Sequence, residues 1–148
     1  MADETLRRIE VAAGIIWREG RFLAAQRPSD KIQAGWWEFP GGKLEADENA
    51  VTALARELQE ELGIRVIECA FWQCVEHAYA ERGFAVRLHF FHVTAFEGEP
   101  CPSEGQVVRW VSPDEACELG FLPADADILE ELRGLACAPT RQVSAHPA

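Results

Sequence analysis

Residues 42–64 read GKLEADENAVTALARELQEELGI, a glycine followed by a helical pattern that gathers three carboxylates, Glu57, Glu60 and Glu61, on one face. Asn49 is placed to cap the start of that helix and Gly63 to end it, which predicts a helix over residues 50–62. At about 100° per residue the three acids fall within roughly a quarter-turn of one another. Beside them Val51, Leu54, Leu58 and Leu62 form an apolar stripe that beds the helix on a core. Like charges at these spacings cost a helix about 0.2–0.5 kcal/mol per pair, and in its C-terminal half the macrodipole opposes them as well. Arg56, at i,i+4 to Glu60, is the only cation of the helix, and residues 44–64 contain no lysine. A solvated acidic helix usually intersperses lysine with glutamate. A hard divalent cation, Mg²⁺ or Mn²⁺, turns the same repulsion into binding through oxygen ligands. On helix chemistry alone, a metal site and a solvated acidic face both stay open.

The rest of the chain sets bounds. With 148 residues, 48% hydrophobic and 26% charged, it has the size of one globular domain with a sizeable core, expected over residues 1–137. A net charge of −11 and a pI near 4.8 exclude the basic face that a nucleic-acid polymer requires. A free, metal-chelated nucleotide remains compatible, because the cation brings the positive charge. The opening MADETLRRIE has no apolar stretch, and no apolar run approaches the roughly 18 residues of a membrane span. A cytoplasmic protein without membrane contact is expected. Cys69, Cys74, Cys101, Cys117 and Cys137 are odd in number and lack any C-x-x-C pair, which suits reduced thiols.

Periodicity supplies a coarse map. Residues 9–17 and 21–26 read as strands of a hairpin split by Arg18-Glu19-Gly20, and residues 36–39 as a short strand ending in the turn Pro40-Gly41-Gly42. Further strands are expected over residues 65–75, 85–96 and 106–111. Ser112-Pro113-Asp114-Glu115 is a capping box with proline at N1, and a last helix from about Ala124 packs through Ile128, Leu129 and Leu132. Residues 138–148 lack periodicity and read as a frayed, disordered tail. His77, His89 and His92 lie on strand patterns as structural residues, and His89 and His92 have opposite parity on one strand. Mixed strands with few helices imply an α+β fold or an α/β/α sandwich.

Gly42, five residues, Glu48, seven residues, then Arg56-Glu57-Leu58-Gln59-Glu60-Glu61-Leu62-Gly63-Ile64 resembles the whole signature of the Nudix hydrolases. The likeness runs from Ile9 to about Leu132. Val11-Ala12-Ala13-Gly14-Ile15-Ile16, Trp37 to Lys43, Phe96 to Pro100 and Glu104-Gly105-Gln106 resemble the MutT-like branch, which hydrolyses 8-oxo-dGTP. Ala25-Gln26-Arg27-Pro28, Leu88 to Val93, Ser112 to Ala116 and Pro123-Ala124-Asp125 resemble the branch that acts on CTP and 5-methyl-dCTP. The resemblance implies a Nudix α/β/α sandwich with a mixed sheet and a catalytic loop-helix-loop. It also implies Mg²⁺-dependent hydrolysis of a nucleoside triphosphate to monophosphate and diphosphate, with attack at the β-phosphorus. The biological role implied is clearance of damaged nucleotides by a monomer or homodimer, with 8-oxo-dGTP as first substrate and cytosine nucleotides as the alternative. A non-catalytic nucleotide-sensing module is the remote alternative, and such a module is expected to lose box acids that are all present here.

By the same resemblance the Gly41 carbonyl, Glu57, Glu60, Glu61 and the loop acid Glu104 ligate the metal. One of the glutamates, Glu57 or a neighbour, takes the proton from water, and Glu48 and Arg56 orient them by charge-assisted hydrogen bonds. Arg27, Gly42 and Lys43 meet the phosphates or the nucleotide, although solvated surface roles suit Arg27 and Lys43 equally. Phe39 contacts base or sugar, or packs the core. Asp125 stands where the MutT-like branch has an asparagine: an ionised carboxylate only accepts, which suits the amino group of cytosine unless burial keeps the acid protonated. Compensation of a helix N-terminal dipole would also explain an aspartate there.

Overall fold

The computed structural model describes residues 6–28 and 35–137, and the tail expected from Ala138 lies outside them. Strand β1 (Arg7–Arg18) turns into β2 (Arg21–Gln26) through Glu19-Gly20, whose φ angles of 55° and 80° are both positive. That is the two-residue turn whose twist matches the strands it joins. β1 and β2 pair only near this turn; further back, Val11–Ala13 of β1 pair with β4 (Gly41–Lys43) instead. On its other side β1 runs parallel to β6 (Phe84–Glu97), which pairs antiparallel with the edge strand β5 (Arg65–Tyr79). β3 (Trp37–Glu38) and β7 (Val108–Val111) both pair antiparallel with β2. The result is a mixed sheet ordered β3-β2-β1-β6-β5.

Strand alternation divides the core in two. Ala12 and Ile16 of β1 face the helix α1 (Ala50–Leu62) and join Leu54, Leu58, Leu62, Phe91 and Val93. Ala13 and Ile15 face the opposite way and join Phe22, Phe90, Ile128 and Leu132, where α2 (Pro113–Ala116) and α3 (Ala126–Cys137) cover the sheet. Helices on both faces give the expected sandwich. α1 beds closely on Gly14: a Cβ there would lie 3.2 Å from Leu54 Cδ1.

Three local expectations change. Val51 has the azimuth of the buried stripe but is 43% exposed, while Ala53 is buried and Ala50 packs against the same core. Gly41-Gly42 is not a turn but strand β4, pressed against the β1 backbone too closely for a side chain at Gly41. The last α-helix starts at Ala126 after a separate 3₁₀ turn over Pro123–Asp125. Among the described residues no helix is long and apolar enough to cross a membrane, and Cys69, Cys74, Cys101 and Cys117 are free thiols.

The histidines follow strand parity. His89 Nε2 lies 2.7 Å from Glu10 Oε1 on the α1 side of the sheet. His92, on the other side, accepts a 2.8 Å hydrogen bond at Nδ1 from Trp17 Nε1 and packs 4.7 Å from Trp72 between ring centroids. Burial pushes the His92 pKa down to about 4. The unfolded chain, with an ordinary histidine near 6.5, therefore takes up the proton first as pH falls. Stability from neutral His92 is complete above about 6.5 and is lost on descent towards 4, by up to about 3 kcal/mol. Urea unfolding at pH 7 and pH 4.5 is expected to show a smaller acid loss in His92→Gln than in wild type. Equal losses in the two proteins would remove His92 as the cause.

Candidate active site

The catalytic candidate is built around α1. Asn49 Oδ1 accepts from the Thr52 N–H at 2.9 Å, and Gly63, with φ of 72°, closes the other end. The next orphan carbonyls of the helix take partners from the loop after β6: Leu62 O accepts from Cys101 N–H and Glu61 O from Ser103 N–H, each at 2.9 Å. Docking this loop on the helix end carries Glu104 to the glutamates. Backbone atoms do the docking, so no side-chain pattern announces it.

Arg56 organises the acids. Its Nε donates to Glu48 Oε2 at 2.7 Å and its Nη2 to Glu48 Oε1 at 3.0 Å and to the Lys43 carbonyl at 3.1 Å. Nη1 reaches Glu57 at 3.1 Å and Glu60 at 3.3 Å. The Arg56 hydrogen bonds, with the Glu45 N–H, hold the Glu48 carboxyl below its ordinary range. Planar donors reaching several oxygens at once are what a guanidinium offers and an ammonium does not. Glu57 is further fixed by Gly42, because its carboxylate fills the space that a Cβ at position 42 would take. Glu61 Oε1 accepts from the Gly41 N–H at 3.3 Å. Burial first, then the charges of Glu38, Glu57 and Glu104, push the Glu61 pKa up to about 7.

These side chains open on a cavity of about 290 Å³ lined by Glu57, Glu60, Glu61, Glu104, Arg27, Pro28, Glu38, Ser103 and Gln106. Five residues expected at the site thus converge from three chain segments. Arg27 Nη1 donates to Glu38 Oε1 at 2.9 Å across the cavity wall. Glu38 was not foreseen. Strand parity carried the signal, since Trp37 and Phe39 are buried and the glutamate between them points the other way. Gln106 was also missed as a site residue, although it closes the Glu104-Gly105-Gln106 stretch of the family resemblance.

The remaining expected residues lie elsewhere. Lys43 is exposed on β4, outside the cavity lining. Phe39 is 5% exposed and packs against Phe22, Phe90 and Phe121, so its ring is part of the core. Asp125 is 4% exposed. Trp37 N–H donates to Gly120 O and Leu122 N–H to Trp37 O, which ties the segment before Asp125 to β3 and sets it near Glu38. Burial and the Glu38 charge push the Asp125 pKa up to about 8.

Among the described residues no three acids stand as a metal-ligating set; Glu57 and Glu60 accept from Arg56 and Glu61 from the Gly41 N–H. The donor chemistry nevertheless fits a hard divalent cation. All the converging donors are oxygens, and Glu61 is raised first by burial and then by neighbouring acids whose charge a cation would offset.

A family model described as the NUDIX domain matches residues 11–131. The CTP pyrophosphohydrolase of Escherichia coli (strain K12) is 43% identical over 90% of this chain and 97% of its own. The 8-oxo-dGTP diphosphatase of the same strain is 34% identical over 88% of this chain and all of its own. In structure, the E. coli ORF135 protein superposes with a TM-score of 0.80 at 41% identity, covering 91% of this chain and 95% of that one.

Proposed function

This chain belongs to the NUDIX family, and from that premise we propose a divalent-metal-dependent nucleoside triphosphate pyrophosphohydrolase that acts on 8-oxo-dGTP. The observation that carries this reading is the convergence of Glu57, Glu60, Glu61 and Glu104 on one cavity with Arg27 at its wall. Glu57, Glu60, Glu61, Glu104 and the Gly41 carbonyl would hold the cation, with Mg²⁺ as the ordinary partner and Mn²⁺ an acceptable one. When bound, the cation screens the triphosphate and acidifies the attacking water. The chain's own groups do the rest. A glutamate takes the proton from water as it adds to phosphorus, and the phosphoanhydride bond that breaks leaves a monophosphate and diphosphate. Arg56 keeps the carboxylates aimed, and Arg27 exchanges Glu38 for a phosphate oxygen. Free nucleotides of the cytoplasm are the substrates of this reading.

For the base we propose Asp125 in its protonated form, which both donates and accepts as an asparagine amide does. 8-Oxoguanine offers a donor beside an acceptor, N7–H and O6, whereas guanine offers two acceptors there. Cytosine also offers the pair, N4–H and N3. CTP and 5-methyl-dCTP are therefore the second reading, favoured by the 43% identity to a CTP pyrophosphohydrolase. Because Asp125 is nearly sealed, base contact requires the surface over it to open on binding.

With a pKa near 8, Asp125 donates below that pH and only accepts above it. Relative kcat/KM for 8-oxo-dGTP, CTP and dGTP at pH 7 and pH 9 tests both proposals. Wild type is expected to favour 8-oxo-dGTP or CTP over dGTP about 10-fold or more at pH 7 and to lose much of that at pH 9, while Asp125→Asn keeps it. Equal rates on all three would end the base assignment and leave the hydrolysis standing. No hydrolysis of any would end the whole reading.

A further inference from the structure

Among the described residues, Oε1 of Gln106 is the one buried side-chain oxygen or nitrogen without a hydrogen-bond partner. It belongs to a residue that lines the acid cavity, two positions from Glu104. Buried acceptors are rarely left unpaired, because the lost hydration is not recovered. An orphan beside a binding cavity therefore points to a partner that comes with the ligand. Gly105, with φ of 76°, turns the chain between Glu104 and Gln106, and the Val107 carbonyl accepts from the Gln26 N–H at 2.9 Å, so the backbone on both sides is set.

Resting on the metal-dependent reading above, we propose that Gln106 accepts a hydrogen bond from a water carried by the divalent cation. The partner must be a donor, since an amide oxygen only accepts, and Glu57, Glu60, Glu61 and Glu104 on the same wall offer no donor once ionised. Mg²⁺ and its congeners keep several waters whose hydrogens need acceptors. A neutral amide supplies one without adding another charge to acids that already repel. Rotation about the terminal side-chain bond, which has a broad potential, turns the sealed oxygen towards the cavity.

The test uses Mn²⁺ alone, without nucleotide, with binding read from the resonance of free Mn²⁺ and stability from thermal unfolding of the metal-free protein. Gln106→Leu is expected to weaken Mn²⁺ binding about 10-fold, the low end for loss of a group that supports metal ligands. Its metal-free Tm should hold or rise by about 2–4 °C, because an unpaired buried acceptor has been removed. A structural amide would show the reverse, with a lower Tm and unchanged Mn²⁺ affinity. Gln106→Glu retains an acceptor and is expected to bind Mn²⁺ as tightly as wild type or tighter. That variant decides if Gln106→Leu loses both stability and metal: a weakened Gln106→Glu overturns the proposal. Mn²⁺ affinity in Gln106→Leu within twofold of wild type also overturns it, and a raised KM for nucleotide alongside would reassign the amide to the nucleotide itself. A wild type that binds Mn²⁺ without hydrolysing triphosphates would fail the enzymatic reading and leave this contact intact.

Discussion

Glu57→Gln is expected to lower kcat/KM about 10³-fold with either 8-oxo-dGTP or CTP, within the range for a lost acid–base group. Glutamine has the shape of glutamate, so the side chain still fits against Gly42 and still accepts from Arg56. What disappears is the charge and the ability to take a proton. Because the acids repel one another, stability should hold or rise slightly, and Glu61, raised in part by Glu57, should ionise more readily. Steady-state kinetics paired with thermal unfolding separates the two consequences. A variant with full turnover would overturn the assignment of these carboxylates to metal and water.

Two adjacent glycines should respond in opposite ways. At Gly41, with φ of 154°, a Cβ would collide with the Ala12 carbonyl and sit 2.8 Å from Ala13 Cα. Backbone cannot yield as a side chain does, so Gly41→Ala is expected to cost about 2–5 kcal/mol from overpacking and backbone strain. Urea unfolding would show this loss. At Gly42 the obstacle is the end of a flexible side chain, with both Glu57 carboxylate oxygens at 2.5 Å from the built Cβ. Gly42→Ala should leave stability within about 1 kcal/mol but move Glu57, and displacement of a reacting group by about 1 Å can cost roughly 100-fold in rate. Combined with Glu57→Gln, the alanine should add little, because both changes disable one group. Full additivity of the two losses would show that Gly42 acts by another route.

The helix and its acids were legible because both rest on local spacing. Asn49, Arg56, the three glutamates and Gly63 keep the places that a 3.6-residue period and capping chemistry assign them. Glu48 was legible through the family signature, and its two bonds to Arg56 show why that spacing serves the site. Val51 misled because periodicity gives azimuth but not which residues of the first turn the core covers: Ala53 is buried and Val51 is not. Phe39 was left between core and substrate, and Asp125 between base contact and a helix dipole, since a side chain's burial depends on segments distant in sequence: three rings around Phe39, and β3 beside Asp125.

The sequence alone determined that this chain carries a regularly capped acidic helix, alternating strands and the residue types for divalent-metal phosphate chemistry, because those follow from neighbours within a few positions. Only the tertiary structure decided which acids share a cavity, that Glu38 and Gln106 join them, and that Asp125 is sealed enough to stay protonated near neutrality. Proximity between α1, β3 and the Glu104 loop is set by backbone hydrogen bonds and packing between remote segments, and these leave no periodic trace in the order of the residues.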